Sequence, residues 1–198
     1  MLQRITSSQQ LGFAQGAGKV TNSDFIAGVP APIAHLSWLV GSWLGVGVGG
    51  ETNGAPFQFA QEVQIGCDGR EFLTHVSRSW LLDANGNRVK PTAVEFGIWR
   101  ATENNGAILQ LTHSYGYSET LTGNVEITAI NNAVITGARI KLQTIRIMRP
   151  EDTPLYRGSE RLLGLVDGRL LWRLDTLTSG EEPEAHVSAT LTRMENHD

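Results

Sequence analysis

The sequence predicts an all-β protein, about ten antiparallel strands closed into an up-and-down β-barrel with a short N-terminal helix. Three observations carry this. Short runs of β-branched and aromatic residues recur from Trp43 onward. Turn signals separate them: Asp68-Gly69, Asn85-Gly86, Asn105-Gly106 and Asp167-Gly168 are hairpin dipeptides, and Gly116, Gly123 and Asn131-Asn132 add further turn sites. No convincing helix intervenes, which argues against a parallel βαβ sheet. A meander this long removes its two exposed edges by closing on itself. A two-sheet sandwich is the competing architecture.

Residues 1–32, poor in large apolar side chains and rich in Gln, Ser, Gly and Ala, are expected to be a flexible N-terminal arm, with Phe13, Phe25 and Ile26 as candidate docking points. Pro30 and Pro32 mark its boundary with a barrel domain spanning 33–198. The segment 33–43 then reads as one or two helical turns that place Ile33, Leu36, Leu39 and Val40 on one side, a plug or lid for the body. After a first strand from Trp43, strands are expected at 57–65, 71–82, 89–101, 107–114, 125–130, 133–142, 144–148, 155–166, 169–177 and 185–194. Several alternate with period two. Phe57 and Phe59 oppose Gln58, and Val94, Phe96 and Ile98 oppose Glu95 and Gly97, as in strands with one buried and one wet face.

Composition narrows the function. The 198 residues suffice for one well-buried domain. Sixteen basic against twenty acidic side chains give a net charge of −4, with no basic stripe for nucleic acid and no cationic tract for an anionic membrane. The single cysteine, Cys67, makes neither an internal disulfide nor a thiolate zinc cluster. The opening residues contain no signal-peptide apolar core, and no run is long enough to cross a bilayer as a helix, so the expected compartment is the cytoplasm.

Gly45 to Gly50 literally fits GxGxxG, but Gly54 and Pro56 forbid the helix that a dinucleotide site requires there. Read from Gly41, the same stretch is GxWxGxG: a first strand whose Trp43 closes one barrel end while glycines permit a bend or a close backbone crossing. His75, His113 and His186 lack the spacing of a paired metal site, which leaves zinc hydrolysis unsupported. A lone imidazole can still serve as the axial ligand of a haem, because the porphyrin supplies the other four nitrogens. There is no GxSxG elbow. Glu95 and Arg100 read as an ion pair on one strand, and Glu181, Glu182 and Glu184 as a solvated turn.

With GSWLGVG in place, the remaining strands resemble the nitrobindin family of fatty-acid-binding-protein-like (calycin) barrels, from about Leu36 to Arg193. The residues that carry the resemblance are the 36–47 opening, Pro56-Phe57 leading to Glu62, Glu95-x-Gly97 ending in Arg100, and Gly116, Glu119 and Gly123. The last is His186-x-x-Ala189-x-Leu191, similar to the strand whose histidine binds haem iron in that family. The resemblance implies one ferric haem b per chain, with His186 as proximal metal ligand, binding nitric oxide or isomerising peroxynitrite to nitrate. The resemblance further implies cofactor contacts from Thr52, a loose positional counterpart in the 51–55 loop, and from Arg157 or Arg161, which would have to serve a propionate in place of the family's late lysine. Three features depart from the family pattern. Ala93 stands where many members have a histidine, ETNGA (51–55) replaces a Tyr-Pro-x-Ile loop, and no lysine follows Lys141.

Two readings compete: a haem-dependent isomerase or nitric-oxide sensor, and a haem-free barrel for a fatty acid or other small apolar ligand. A third makes the N-terminal arm the functional part of an interaction module. Barrels of this kind can pair through one wall, so a homodimer is the assembly to look for.

Overall fold

Ten strands run in series, each pairing antiparallel with the next, and the last pairs back with the first, so the sheet has no edge. In the computed structural model, which describes residues 28–50, 55–152, 156–177 and 184–194, a 3-10 helix over Ala31–Leu39 precedes the barrel. The strands are β1 (Gly41–Gly49), β2 (Phe57–Gly66), β3 (Leu73–Leu82), β4 (Arg88–Thr102), β5 (Gly106–His113), β6 (Ser118–Asn131), β7 (Val134–Met148), β8 (Gly158–Val166), β9 (Arg169–Leu177) and β10 (Glu184–Arg193). Among the described residues no helix is long and apolar enough to cross a membrane. Residues 1–27 of the expected N-terminal arm, with its candidate docking points Phe13, Phe25 and Ile26, lie outside the described residues.

Turn chemistry fixes the hairpins. Asp167 and Gly168 hold φ of 50° and 72°, the left-handed pair of a type I′ turn. At β4–β5 that pair is Asn104-Asn105, one residue earlier than the Asn-Gly dipeptide suggested, and Gly106 N–H bonds to Glu103 O at 3.0 Å. At β6–β7 it is Asn132-Ala133, one residue later than expected. The runs 133–142 and 144–148 are one strand. A register shift between Leu121↔Thr144 and Thr120↔Arg146 leaves Ile145 without a partner, and the ladder resumes beyond it. β6 begins at Ser118 rather than 125.

The 3-10 helix seals one end. Ile33, Leu36, Leu39 and Val40 are buried there as the sequence suggested, and Trp38 joins them. Trp43 on β1 donates its indole N–H to Leu39 O at 2.9 Å. Arg193 on β10 lies 4.2 Å over the Trp43 ring and donates to the carbonyls of Trp38 and Val40. The helix's last carbonyls are thereby satisfied, which a helix C-terminus packed against a barrel requires. Leu73, Trp99, Leu109, Leu121 and Leu191 fill the space beneath it.

On β4 the inward face is not the apolar one. Ala93 and Glu95 line the interior and Trp99 is buried, while Phe96 is 53% exposed outside. An anchor as large as Trp99 sets the parity of the whole strand, because inward positions recur every second residue.

Candidate functional site

Above the apolar plug lies a cavity of about 230 Å³ that reaches the open end of the barrel at Phe57, Thr92, Ala93, Tyr115 and Thr176. Its two walls differ. On β1, Gly47 and Gly49 face Phe59 and Phe57: a Cβ at Gly47 would stand 2.3 Å from the Phe59 ring, and one at Gly49 2.3 Å from the Phe57 ring. A Cβ at Gly45 would meet Thr190 O at 2.1 Å, so the GxWxGxG glycines mark a close crossing of β1 with β10 and its aromatic neighbours. Trp172 of β9 continues this wall, its ring centroid 6.2 Å from that of Phe59.

The opposite wall is ionic. Arg161 of β8 forks onto Glu95 of β4, Nη1 to Oε2 at 3.1 Å and Nη2 to Oε1 at 2.6 Å. His113 of β5 stands between two carboxylates, with Nδ1 3.2 Å from Glu95 Oε1 and Nε2 3.0 Å from Glu119 Oε1. Carboxylates only accept, so both ring nitrogens donate and His113 is an imidazolium. Burial alone would lower its pKa, but the bonds to Glu119 and Glu95 outweigh that and raise it. Glu119 of β6 also accepts from the hydroxyls of Thr144 (2.6 Å), Tyr156 (2.7 Å) and Ser159 (3.3 Å). Burial opposes ionisation of both carboxylates. Arg161 and His113 hold Glu95 well below its usual range, and His113 and Arg161, with the hydroxyls, lower Glu119. Tyr117 stacks between His113 and Tyr156 at 4.3 and 4.2 Å.

His75 of β3 behaves differently on the same wall. Trp99 donates its indole N–H to His75 Nδ1 at 3.3 Å, which leaves the imidazole proton on Nε2. Burial, only partly offset by Glu95, lowers its pKa to about 4, so the ring is neutral at physiological pH. A short chain links the walls: Trp172 donates to Gln61 Oε1 at 2.8 Å, and Gln61 Nε2 donates to Ser77 Oγ at 3.0 Å.

The structure distributes the sequence candidates unevenly. His186 falls on β10 at a register irregularity: Ala185 pairs with Asp175 and Val187 with Leu174, leaving His186 as the extra residue of a β-bulge. Val187, its neighbour, lines the cavity. Arg157 is exposed just before β8, its backbone N–H bonded to Leu177 O at 2.9 Å. Thr52 lies outside the described residues. Arg161 is spent on Glu95 and Glu119 within the barrel rather than standing at the rim. The expected Glu95–Arg100 pair does not form. Five residues apart on one strand, they point to opposite faces; Arg100 lies outside, 5.7 Å from the Phe72 ring. The ionic wall itself was missed. A signal existed, since His113 shares parity with Leu109 and Leu111, Arg161 with Leu163 and Leu165, and Glu119 with Leu121.

A closed antiparallel barrel, plugged at one end and hollow at the other, is a small-ligand-binding barrel. Its family follows from comparison: residues 32–193 match the THAP4-like, heme-binding beta-barrel domain, and the chain belongs to that family. A ferric nitrobindin-like protein of Kineococcus radiotolerans is 33% identical over 180 residues, covering 83% of this chain and 94% of its own. A peroxynitrite isomerase of Nocardioides sp. is 32% identical over 159 residues, covering 80% and 91%. The crystal structure of Rv2717c from M. tuberculosis superposes with a TM-score of 0.74 at 25% identity, covering 84% of this chain and 99% of that one.

Proposed function

We propose that this protein is a haem-dependent peroxynitrite isomerase that binds one ferric haem b per chain through His186 and takes nitric oxide as a further ligand. The observation that carries the reading is the place of His186. In a chain of the haem-binding family, it occupies the extra position of a β-bulge beside cavity-lining Val187. Bulges commonly re-aim a side chain next to a functional site.

The surrounding residues fit such a group. The mouth offers the apolar Phe57, Val187 and Leu174, and Ala93 leaves room on the facing strand. At about 230 Å³ the cavity falls below the usual range for enclosing a drug-sized ligand, roughly 300–1,000 Å³, so a tetrapyrrole belongs at the mouth and not within the barrel. Arg157, exposed near the end of β9, is the cation for a propionate, with Thr52 as a second polar partner.

When bound, ferric haem supplies a Lewis acid and one-electron partner for cleaving the O–O bond and returning oxygen to nitrogen. Conversion of peroxynitrite to nitrate conserves every atom and the charge, so no net proton is required. The chain's own residues suit that balance. Phe57 and Phe59 limit water, and the protons of His113 and Arg161 are committed to Glu95 and Glu119.

The test is a hemin titration of the wild type beside His186→Ala. A saturable one-to-one Soret band that the substitution abolishes, followed by accelerated peroxynitrite decay, is the expected result. Equal, unsaturating spectra for both proteins would overturn the reading.

A further inference from the structure

A buried polar atom of the cavity lining has no partner. His75 is 93% buried (7% exposed) and lines the cavity, yet its Nε2 lacks a hydrogen bond. Its tautomer is fixed from behind, because Trp99 N–H occupies Nδ1 and the proton must sit on Nε2. A buried N–H donor is therefore presented to the cavity, and leaving such a group unpaired is costly. Glu95 Oε2 lies 4.0 Å away, beyond a hydrogen bond but close enough for one atom or group to touch both. The site thus pairs a donor with an acceptor. Arg161 Nε is a second buried donor without a partner on the same wall.

Around this pair the lining is mainly apolar, with Phe59, Val63, Ile65, Leu163 and Trp172, and the polar Gln61 and Ser77 are already bonded to each other. Charge decides what can enter. Glu95 and Glu119 are already balanced by Arg161 and the His113 imidazolium. An incoming carboxylate would add a buried charge with no counter-ion beside the Glu95 oxygen, whereas a neutral group would add none. A hydroxyl can accept from His75 Nε2–H and donate to Glu95, and a primary carboxamide can do the same with two atoms.

We propose that the barrel floor is a second binding site, taking a small uncharged molecule whose apolar body ends in a hydroxyl or carboxamide and rejecting the corresponding carboxylate. This site is separate from the mouth where His186 lies. It stands whether or not haem binds, and it distinguishes this barrel from a carrier of fatty-acid anions.

The experiment compares hexan-1-ol, hexanamide and hexanoate at pH 7.5 by titration calorimetry and by the fluorescence of cavity-lining Trp172. The full-length protein is used, both hemin-loaded and hemin-free. The alcohol and the amide are expected to bind one-to-one, about tenfold or more tighter than hexanoate, in both forms. His75→Leu, which keeps the bulk and removes the donor, lowers alcohol affinity by about three- to tenfold, and His75→Gln, which restores an N–H, recovers most of it. Hexanoate binding as well as the alcohol, no saturable alcohol binding, or competition between hemin and the alcohol would each overturn the proposal. The ligand comparison on the wild-type protein needs no variant, so it decides the matter even if His75→Leu does not fold. Failure of hemin to bind leaves the hemin-free comparison intact and bears only on the haem reading.

Discussion

Across the cavity, β9, β10, β1 and β2 face β3 to β8, and the two halves hold their shape by different means. The first half is fitted by volume: glycines on β1 admit the rings of Phe57 and Phe59 where no methyl group would pass. The second half is fitted by charge, with two carboxylates, a guanidinium and an imidazolium locked in one hydrogen-bonded set. The strand geometry is the same in both. What the contrast teaches is that alternation decides which residues point inward but not what chemistry they bring.

The largest expected effect comes from breaking the charged half. Glu119→Ala would leave His113 and Arg161 under-compensated and three hydroxyls without their acceptor. A loss of about 3–5 kcal/mol is expected in denaturant unfolding. Next comes acid. Unfolded His75 titrates near 6.5 and the folded residue at about 4, so between these values the unfolded chain binds the extra proton. The stability tied to His75 is therefore complete above pH 6.5 and lost as pH falls toward 4, up to about 3 kcal/mol. His113 works in the other direction. Its folded pKa is raised, so its contribution is present below about 6.5 and lost as pH rises through the folded value. Unfolding curves across this range should lose their acid slope in His75→Leu and their alkaline slope in His113→Gln.

The aromatic half answers to smaller changes. Gly47→Ala places a methyl group 2.3 Å from the Phe59 ring and 2.5 Å from Ser188 O. The ring can move but the β10 backbone cannot, and about 1–3 kcal/mol of overpacking is expected, read as a lower denaturation midpoint. Trp172→Phe keeps an aromatic ring beside Phe59 and removes the indole bond that holds Gln61, whose own amide reaches across to Ser77 of the other half. That should cost about 1 kcal/mol. If Gly47→Ala proves as damaging as Glu119→Ala, the distinction between the halves fails.

Much of the barrel was legible because turn dipeptides and period-two runs are local signals. The continuity of β7 was not, since the ladder resumes beyond the unpaired Ile145 only because β6 lies beside it. The early start of β6 was hidden for a related reason. Gly123 reads as a turn in isolation, yet it sits mid-strand, where a Cβ would stand 2.0 Å from Lys141 O. The inward charges were illegible to the rule that polar residues face water. Phe96 outside and Glu95 inside invert that rule, and only the Trp99 parity reveals it. His186 could be singled out by family resemblance, but the bulge at its position depends on pairing with β9 and leaves no mark in the sequence.

Closure of the ring by β1 and β10 has a consequence for how the protein is made. Gly47 pairs with Ala189 and Trp43 with Arg193, and the Arg193 guanidinium bonds carbonyls more than 150 positions earlier in the chain, |i−j| being 153 and 155. Domains emerging from the ribosome fold as their segments become available. Here the first strand must wait, one flank unpaired, until the tenth has been synthesised, and contacts of such long sequence separation form slowly. The nascent barrel is thus an open curl, with the glycine-rich β1 edge unpaired on one side until β10 has been made.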